Sequence, residues 1–188
     1  MRLFLAADLP PGTRDALAAA RDDLRERLAG WRWLEPSGVH LTLRFLGEVE
    51  ADSPAAGVGA WRDAVATCAC PTIRFGGAGA FPPRGPARVL WVGACEAPGE
   101  HRLLEIAERL ERRARELGFP PELRAFHPHL TLARATSPRA ARPAADAVGD
   151  LGAITVRAVV LFRSRLERRG ATYERIGALD LATADRNA

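Results

Sequence analysis

Apolar and polar positions alternate through short runs separated by Gly/Pro turns, and this pattern predicts most of the elements. Arg2 to Leu9 reads as a buried strand, ended by Pro10-Pro11-Gly12. A helix follows from a Thr13 cap to about Leu28, with Leu17, Leu24 and Leu28 on one face and Gly30 as its stop. Trp31 to Leu34 is a short strand, and Val39 to Leu46 a strand of strict alternation. A second helix is expected from about Ser53 to Cys68, capped by Asp52 or Ser53. Pro71 to Phe81 is a glycine-interrupted strand, and 82–86 a proline-rich loop.

The order then repeats. Arg88 to Cys95 is a strand. Glu100 to Leu117 is an amphipathic helix with Leu103, Leu104, Ala107, Leu110 and Ala114 inward. A second alternating strand begins at His129. An Ala-rich helix is expected over about 139–148. Strands are expected over 154–162 and 173–181, with Arg168-Arg169-Gly170 turning between them. Each half is therefore strand, helix, alternating strand, helix, strand. The pattern predicts an α+β fold: one bilobal domain over 1–188, with lobes of about 1–81 and 88–181 and strands free to exchange between them. A pseudo-twofold axis would relate the lobes. Two antiparallel-rich sheets would line a central cleft, with helices outside.

The two alternating strands carry the chemistry. Both contain His-Leu-Thr-Leu, at His40–Leu43 and His129–Leu132, with the histidines 89 positions apart (129 − 40). Successive strand side chains point to opposite faces, so the Leu residues face a core while His and Thr share the other face. The chain has only 4 His, and two of them fill equivalent places in the repeat. Imidazoles titrate near neutrality, so two facing one substrate can act as general acid and general base. Thr42 and Thr131 can donate hydrogen bonds to phosphoryl oxygens, and Arg134 can stabilise charge developing there. No Ser or Cys nucleophile lies in the motifs. No Asp or Glu stands at ligand spacing to each His, so a metal is not expected.

Formal net charge is +4, and all 27 basic residues are Arg. Guanidinium forks suit phosphate. Arg in place of Lys, with abundant Ala, Gly and Pro, is chiefly a mark of GC-rich coding, so charge alone adds little. The 3 Cys form no Cys-x-x-Cys pair and indicate neither a disulfide framework nor zinc. The N-terminal apolar run is too short for a signal peptide, and no stretch approaches the roughly 20 residues of a membrane span. A soluble, cytoplasmic protein is expected.

These residues carry a resemblance over almost the full length. It rests on the paired motifs, His40 to Gly47 and Pro128 to Arg134. Their flanks are Arg2-Leu3-Phe4, Trp33, Gly79 to Pro82, Arg88 to Trp91, Leu161 to Ser164 and Gly170 to Tyr173. The chain resembles the 2H phosphoesterase superfamily and, within it, the RNA 2′,3′-cyclic phosphodiesterases, also known as 2′-5′ RNA ligases. The resemblance implies metal-free and cofactor-free opening of a 2′,3′-cyclic phosphate at an RNA 3′ end, leaving a 2′-phosphate; tRNA fragments, a splicing fragment, a short oligonucleotide or a small cyclic nucleotide would all present that phosphate. It implies His40 as proton donor, His129 as proton acceptor, and Thr42, Thr131 and Arg134 as the phosphate-binding residues. Reverse 2′-5′ ligation is implied too. A non-catalytic RNA-end binding module of the same fold is the rival reading. Arg44, Tyr173 and His127 are further candidate substrate contacts, while Trp33, Phe45 and Phe126 are expected to pack in the core. A monomer without membrane association is expected.

Overall fold

The computed structural model describes residues 1–140, 142–167 and 170–182. The elements in chain order are β1 (Arg2–Ala7), α1 (Pro11–Arg27), β2 (Arg32–Trp33), β3 (Leu41–Glu48), α2 (Arg62–Val65), β4 (Thr72–Phe81), β5 (Ala87–Cys95), α3 (Arg102–Glu116), β6 (His129–Arg139), β7 (Ala153–Thr155), β8 (Ala158–Glu167) and β9 (Gly170–Asp180). The strands form a curled antiparallel sheet in the order β7-β4-β5-β6-β3-β1-β8-β9, with β2 added to β6. The expected turn at Arg168 and Arg169 lies outside the described residues.

The sheet consists of two halves, β7-β4-β5-β6 with β2 and β3-β1-β8-β9, that meet between β3 and β6. That meeting is a single residue pair, Leu41 opposite Leu130. Both leucines are fully buried in the main core, beneath α1 (Leu17, Leu24) and α3 (Leu103, Ile106, Leu110). Burying a Leu contributes about 1.5–3 kcal/mol, and a one-residue slip would expose both together with their neighbours. The alternating apolar pattern therefore fixes how the halves meet.

The halves exchange strands. β4 pairs with β5, while β8 and β9 return to the N-terminal β1, where Arg2 lies opposite Ser164. The strand expected over 154–162 is two strands, β7 on the edge of β4 and β8 on β1. The short segment 156–157 carries the chain from one half to the other.

Two helix expectations fail for physical reasons. In place of a helix over 53–68 the chain makes 3-10 turns at Pro54–Ala56 and Val58–Trp61 before the single turn of α2. Gly57 and Gly59 interrupt the segment, each costing a helix about 1 kcal/mol. The buried Trp61 indole pins it instead, donating to the Ala55 carbonyl at 3.1 Å. No helix forms over 139–148 among the described residues, because β6 continues to Arg139 and the following segment runs beside β4. There the Val148 and Ala145 carbonyls accept from Gly77 N–H (2.9 Å) and Ala78 N–H (2.8 Å). Pro143 and Gly149 disfavour a helix, and the β4 irregularity at Gly77 needs those acceptors.

Each motif strand contains a β-bulge at the equivalent residue. Leu5 and Ala6 face Arg44 and Thr42, leaving Leu43 as the extra residue. Leu90 and Trp91 face Ala133 and Thr131, leaving Leu132. A bulge reverses the facing of everything beyond it. Strict alternation would put Arg44 on the His40 face and Arg134 on the core side, and the bulges exchange both outcomes. Arg44 is 8 % exposed. Its Nε lies 2.7 Å from Glu111 Oε2 of α3, and its guanidinium donates to the Phe45 and Pro120 carbonyls. Arg44 is thus an internal tie between β3 and α3, and its assignment as a substrate contact is corrected.

Arg44→Met removes the partner of one Glu111 oxygen, while Arg115 still holds the other. The expected loss is about 2 kcal/mol, that of a hydrogen bond to a charged group, or about 4–8 °C in Tm for a chain of this size. Thermal unfolding checks it, and affinity for anions at the opposite face is expected to stay unchanged.

Candidate active site

The Leu41–Leu130 pair sets His40 across from Thr131 and Thr42 across from His129 on the face opposite the leucines. Both imidazoles are half-buried and held alike. His40 Nδ1 lies 3.0 Å from the Gly38 carbonyl oxygen, and His129 Nδ1 lies 2.7 Å from that of His127. A carbonyl only accepts, so each Nδ1 carries a proton and donates it. Each Nε2 is left to act on a ligand.

The turn that holds His40 is itself clamped by Arg14. Arg14 donates from Nη1 to the carbonyls of Pro36 (2.8 Å), Ser37 (3.0 Å) and Val39 (3.1 Å), and from Nε to that of Leu9 (3.0 Å). It also pairs with Asp8. One α1 side chain therefore sets the position of Gly38, and through Gly38 the ring of His40. Arg14 was not legible as a site residue, because the partners through which it reaches His40 are backbone carbonyls 22 to 25 positions away.

Aromatic rings flank both histidines. His40 stacks on Phe4 (centroids 4.4 Å apart) and meets the edge of Tyr173 at 4.9 Å. His129 meets the edge of Phe81 at 5.0 Å and lies 6.3 Å from both Trp91 and His127. Gly79 makes the second arrangement fit, since a Cβ there would lie 2.2 Å from the Trp91 indole. Phe45, expected in the core, is 47 % exposed because the Leu43 bulge turns it to the histidine face. Trp33 and Phe126 are half-buried against the core.

Register places the site in rows. Phe81, Val89, Arg134 and Arg32 lie side by side across β4, β5, β6 and β2. Gly79, Trp91 and Thr131 form the next row. In the other half Phe45, Phe4, Phe162 and Arg175 make one row. Repeat equivalence pairs Phe45 with Arg134, so one wall is aromatic where the other is basic. Arg134 is exposed and forms no ion pair among the described residues, yet its charge reaches both histidines. His40, Thr42, His129, Thr131 and Arg134 thus share one face. Tyr173 lies beside His40 and His127 beside His129, while Arg44 lies behind the sheet. No three His, Cys, Asp or Glu residues cluster as metal ligands among the described residues.

Burial pushes the His40 imidazole down to about 4, against the opposing pull of its bond to Gly38, and the charges of Arg134 and Arg14 lower it further. Burial also lowers His129, again against its backbone bond, with His127 and Arg134 adding to the effect. Both rings are therefore neutral at pH 7 before an anion arrives. An anion beside Arg134 offsets that positive field and favours protonation of a histidine.

Between about pH 4 and 6.5 the unfolded chain binds a proton that folded His40 refuses. Stability therefore falls as pH drops through that window and is level above it as far as this group is concerned. The slope of Tm against pH over this range is expected to be shallower in His40→Ala. Arg14→Met removes a positive charge that lowers His40, and Arg14→Lys keeps it. The His40 pKa, read by NMR titration, is expected to rise in Arg14→Met while burial still holds it below the free value, and to stay nearer its starting value in Arg14→Lys.

The sequence matches the family described as LigT like Phosphoesterase over residues 8–91 and 95–173. It is 33% identical to the RNA 2′,3′-cyclic phosphodiesterase of Methanothermobacter thermautotrophicus, covering 92% of this chain and 95% of that one. It is 35% identical to the protein of that name from Thermus thermophilus, covering 92% and 86%. Among solved structures, one from Thermus thermophilus superposes with a TM-score of 0.81 at 32% identity, covering 96% of this chain and 98% of that one. Escherichia coli LigT complexed with 3′-AMP gives 0.73 at 26% identity, covering 96% and 97%. With two His-Leu-Thr-Leu strands joined at their leucines and this match to both halves, the chain belongs to the LigT-like phosphoesterases of the 2H superfamily.

Proposed function

We propose that the protein is an RNA 2′,3′-cyclic phosphodiesterase that opens the cyclic phosphate at an RNA 3′ end to a 2′-phosphate. The observation that carries the reading is the Leu41–Leu130 register, which sets two Nδ1-anchored imidazoles and Arg134 on one face. Relatives named for this activity over most of the chain support it.

The cyclic phosphate enters as a monoanion. Its non-bridging oxygens accept hydrogen bonds from the Thr42 and Thr131 hydroxyls and from the Arg134 guanidinium, which stabilise the charge that grows in the transition state. His40 gains its Nε2 proton together with the anion. His129 Nε2 takes a proton from water as the water oxygen bonds to phosphorus. The P–O3′ bond breaks, and His40 Nε2–H donates to the departing 3′ oxygen. The cycle ends with His40 neutral and His129 protonated, and solvent exchange resets both. A 5′-hydroxyl in place of water opens the same P–O3′ bond and gives a 2′-5′ linkage, the reverse of cleaving such a linkage to the cyclic phosphate. Tyr173 and His127 hold the two rings from the side, and exposed Phe45 offers a face to a base.

Both histidines come from one chain, which supports action as a monomer. No helix among the described residues is long and apolar enough to cross a membrane. We place the activity in the cytoplasm, on RNA ends such as tRNA fragments.

The test is hydrolysis of an oligonucleotide ending in a 2′,3′-cyclic phosphate, with chelator present. His40→Ala and His129→Ala are each expected to lower kcat by about 10²–10⁴-fold. Tight binding without turnover by the unaltered protein would instead indicate a non-catalytic RNA-end binder.

A further inference from the structure

Arg32 stands directly opposite Arg134 in the β2–β6 ladder. Directly opposed residues of an antiparallel pair point to the same side, with Cβ atoms about 4.5–5.5 Å apart. Arg32 therefore projects onto the face that carries the two histidines. Its register is secured by the neighbouring Trp33–Ala133 pair and by Leu34 N–H donating to the Leu132 carbonyl at 2.8 Å.

Two like charges in this relation repel, and among the described residues no carboxylate pairs with either. The residue on the other side of Arg134 is Val89. The nearest acid along β2, Glu35, is engaged by Arg21 at 3.1 Å. Both arginines are exposed, and among the described residues neither has an ion pair or a side-chain hydrogen bond. Most arginines nearby differ: Arg14 and Arg21 are held by carbonyls and carboxylates, and Arg88 reaches the Thr136 carbonyl. An anion lying between or along the two guanidinium forks would turn the repulsion into two charge-assisted contacts.

Arg134 already faces the reacting phosphate in the function proposed above, and this inference rests on that reading. We propose that Arg32 binds a second phosphate of the same strand, the one on the 5′ side of the terminal nucleotide. Arg134 and Arg32 then form a two-phosphate track leading from the histidines to the β2 edge. The substrate class it selects is a 5′-phosphorylated or internally linked RNA terminus, in preference to a free nucleoside 2′,3′-cyclic phosphate. Among the described residues the opposite wall, with Phe45 and Phe4, has no comparable arginine pair, so the track also sets the direction in which the strand leaves.

The experiment compares adenosine 2′,3′-cyclic phosphate with the same nucleotide bearing a 5′-phosphate. The unaltered protein is expected to favour the 5′-phosphorylated form about tenfold in kcat/KM. Arg32→Ala is expected to abolish that preference, and Arg32→Lys to restore part of it. The salt dependence of log KM for the 5′-phosphorylated form should flatten by about 0.7 in Arg32→Ala, the slope of one single-strand phosphate contact. Because the substitution removes the repulsion, Tm without ligand at low salt should hold or rise. Absence of a preference in the unaltered protein, or an equal preference in Arg32→Ala, would overturn the proposal. If neither nucleotide turns over, the functional reading fails by itself. The two-phosphate track is then decided by calorimetric binding of adenosine 2′,5′-bisphosphate against adenosine 2′-phosphate: a preference lost in Arg32→Ala supports it, and its absence refutes it.

Discussion

One antiparallel residue pair, Leu41 against Leu130, holds the site together. The two halves of the sheet share no other main-chain pairing between β3 and β6, so the spacing of the imidazoles is inherited from the packing of two leucines. The apolar core does more than stabilise here. By fixing which residues face the helices, it fixes which residues face each other on the opposite side. The backbone bonds from each Nδ1 then convert a shared face into shared orientation, because both rings are turned by the carbonyl two residues before them.

The twofold relation is strong in the backbone and broken in the side chains. Both motif strands bulge at the same place, at Leu43 and Leu132. What the bulge delivers differs: Phe45 in one half and Arg134 in the other. A symmetric cleft would accept a ligand in either direction. An aromatic wall facing a basic wall gives the two imidazoles unlike surroundings, and unlike surroundings are what separate an acid from a base. The Arg14 clamp adds to this, since it steadies the turn before His40 and its charge adds to the lowering of that imidazole.

Much of this was legible in the sequence. His40, Thr42, His129 and Thr131 follow from alternation, because no bulge intervenes between His and Thr. Period-2 reasoning breaks two residues later. By spacing Arg44 belongs with His40, and by spacing Arg134 does not belong with His129; both inferences reverse at a bulge that no single residue type announces. The same limit hid Phe45. The 139–148 segment was Ala-rich enough to suggest a helix, but the unpaired amides of β4 at Gly77 and Ala78 claim its carbonyls, and that demand comes from a strand more than 60 positions earlier. Arg14 and Arg32 were invisible for a related reason. One acts on backbone atoms, and the other matters only through its cross-strand neighbour.

The exchange of strands between halves also governs when the site can exist. β1 is flanked on one side by β3 and on the other by β8, so residues near the start of the chain await residues near its end. Tyr173, which packs on His40, arrives last of all. During synthesis the motif strands β3 and β6 and the helices between them emerge well before β8 and β9. The growing polypeptide can thus assemble the basic wall early, while the aromatic wall must wait for closure between segments some 160 positions apart (164 − 2). Such long-range closure is the slow step in sheet formation. A growing chain of this kind has Gly38, Arg14 and Phe4 at hand to hold His40 early, and only Phe162 and Tyr173 remain to complete the surroundings of that ring.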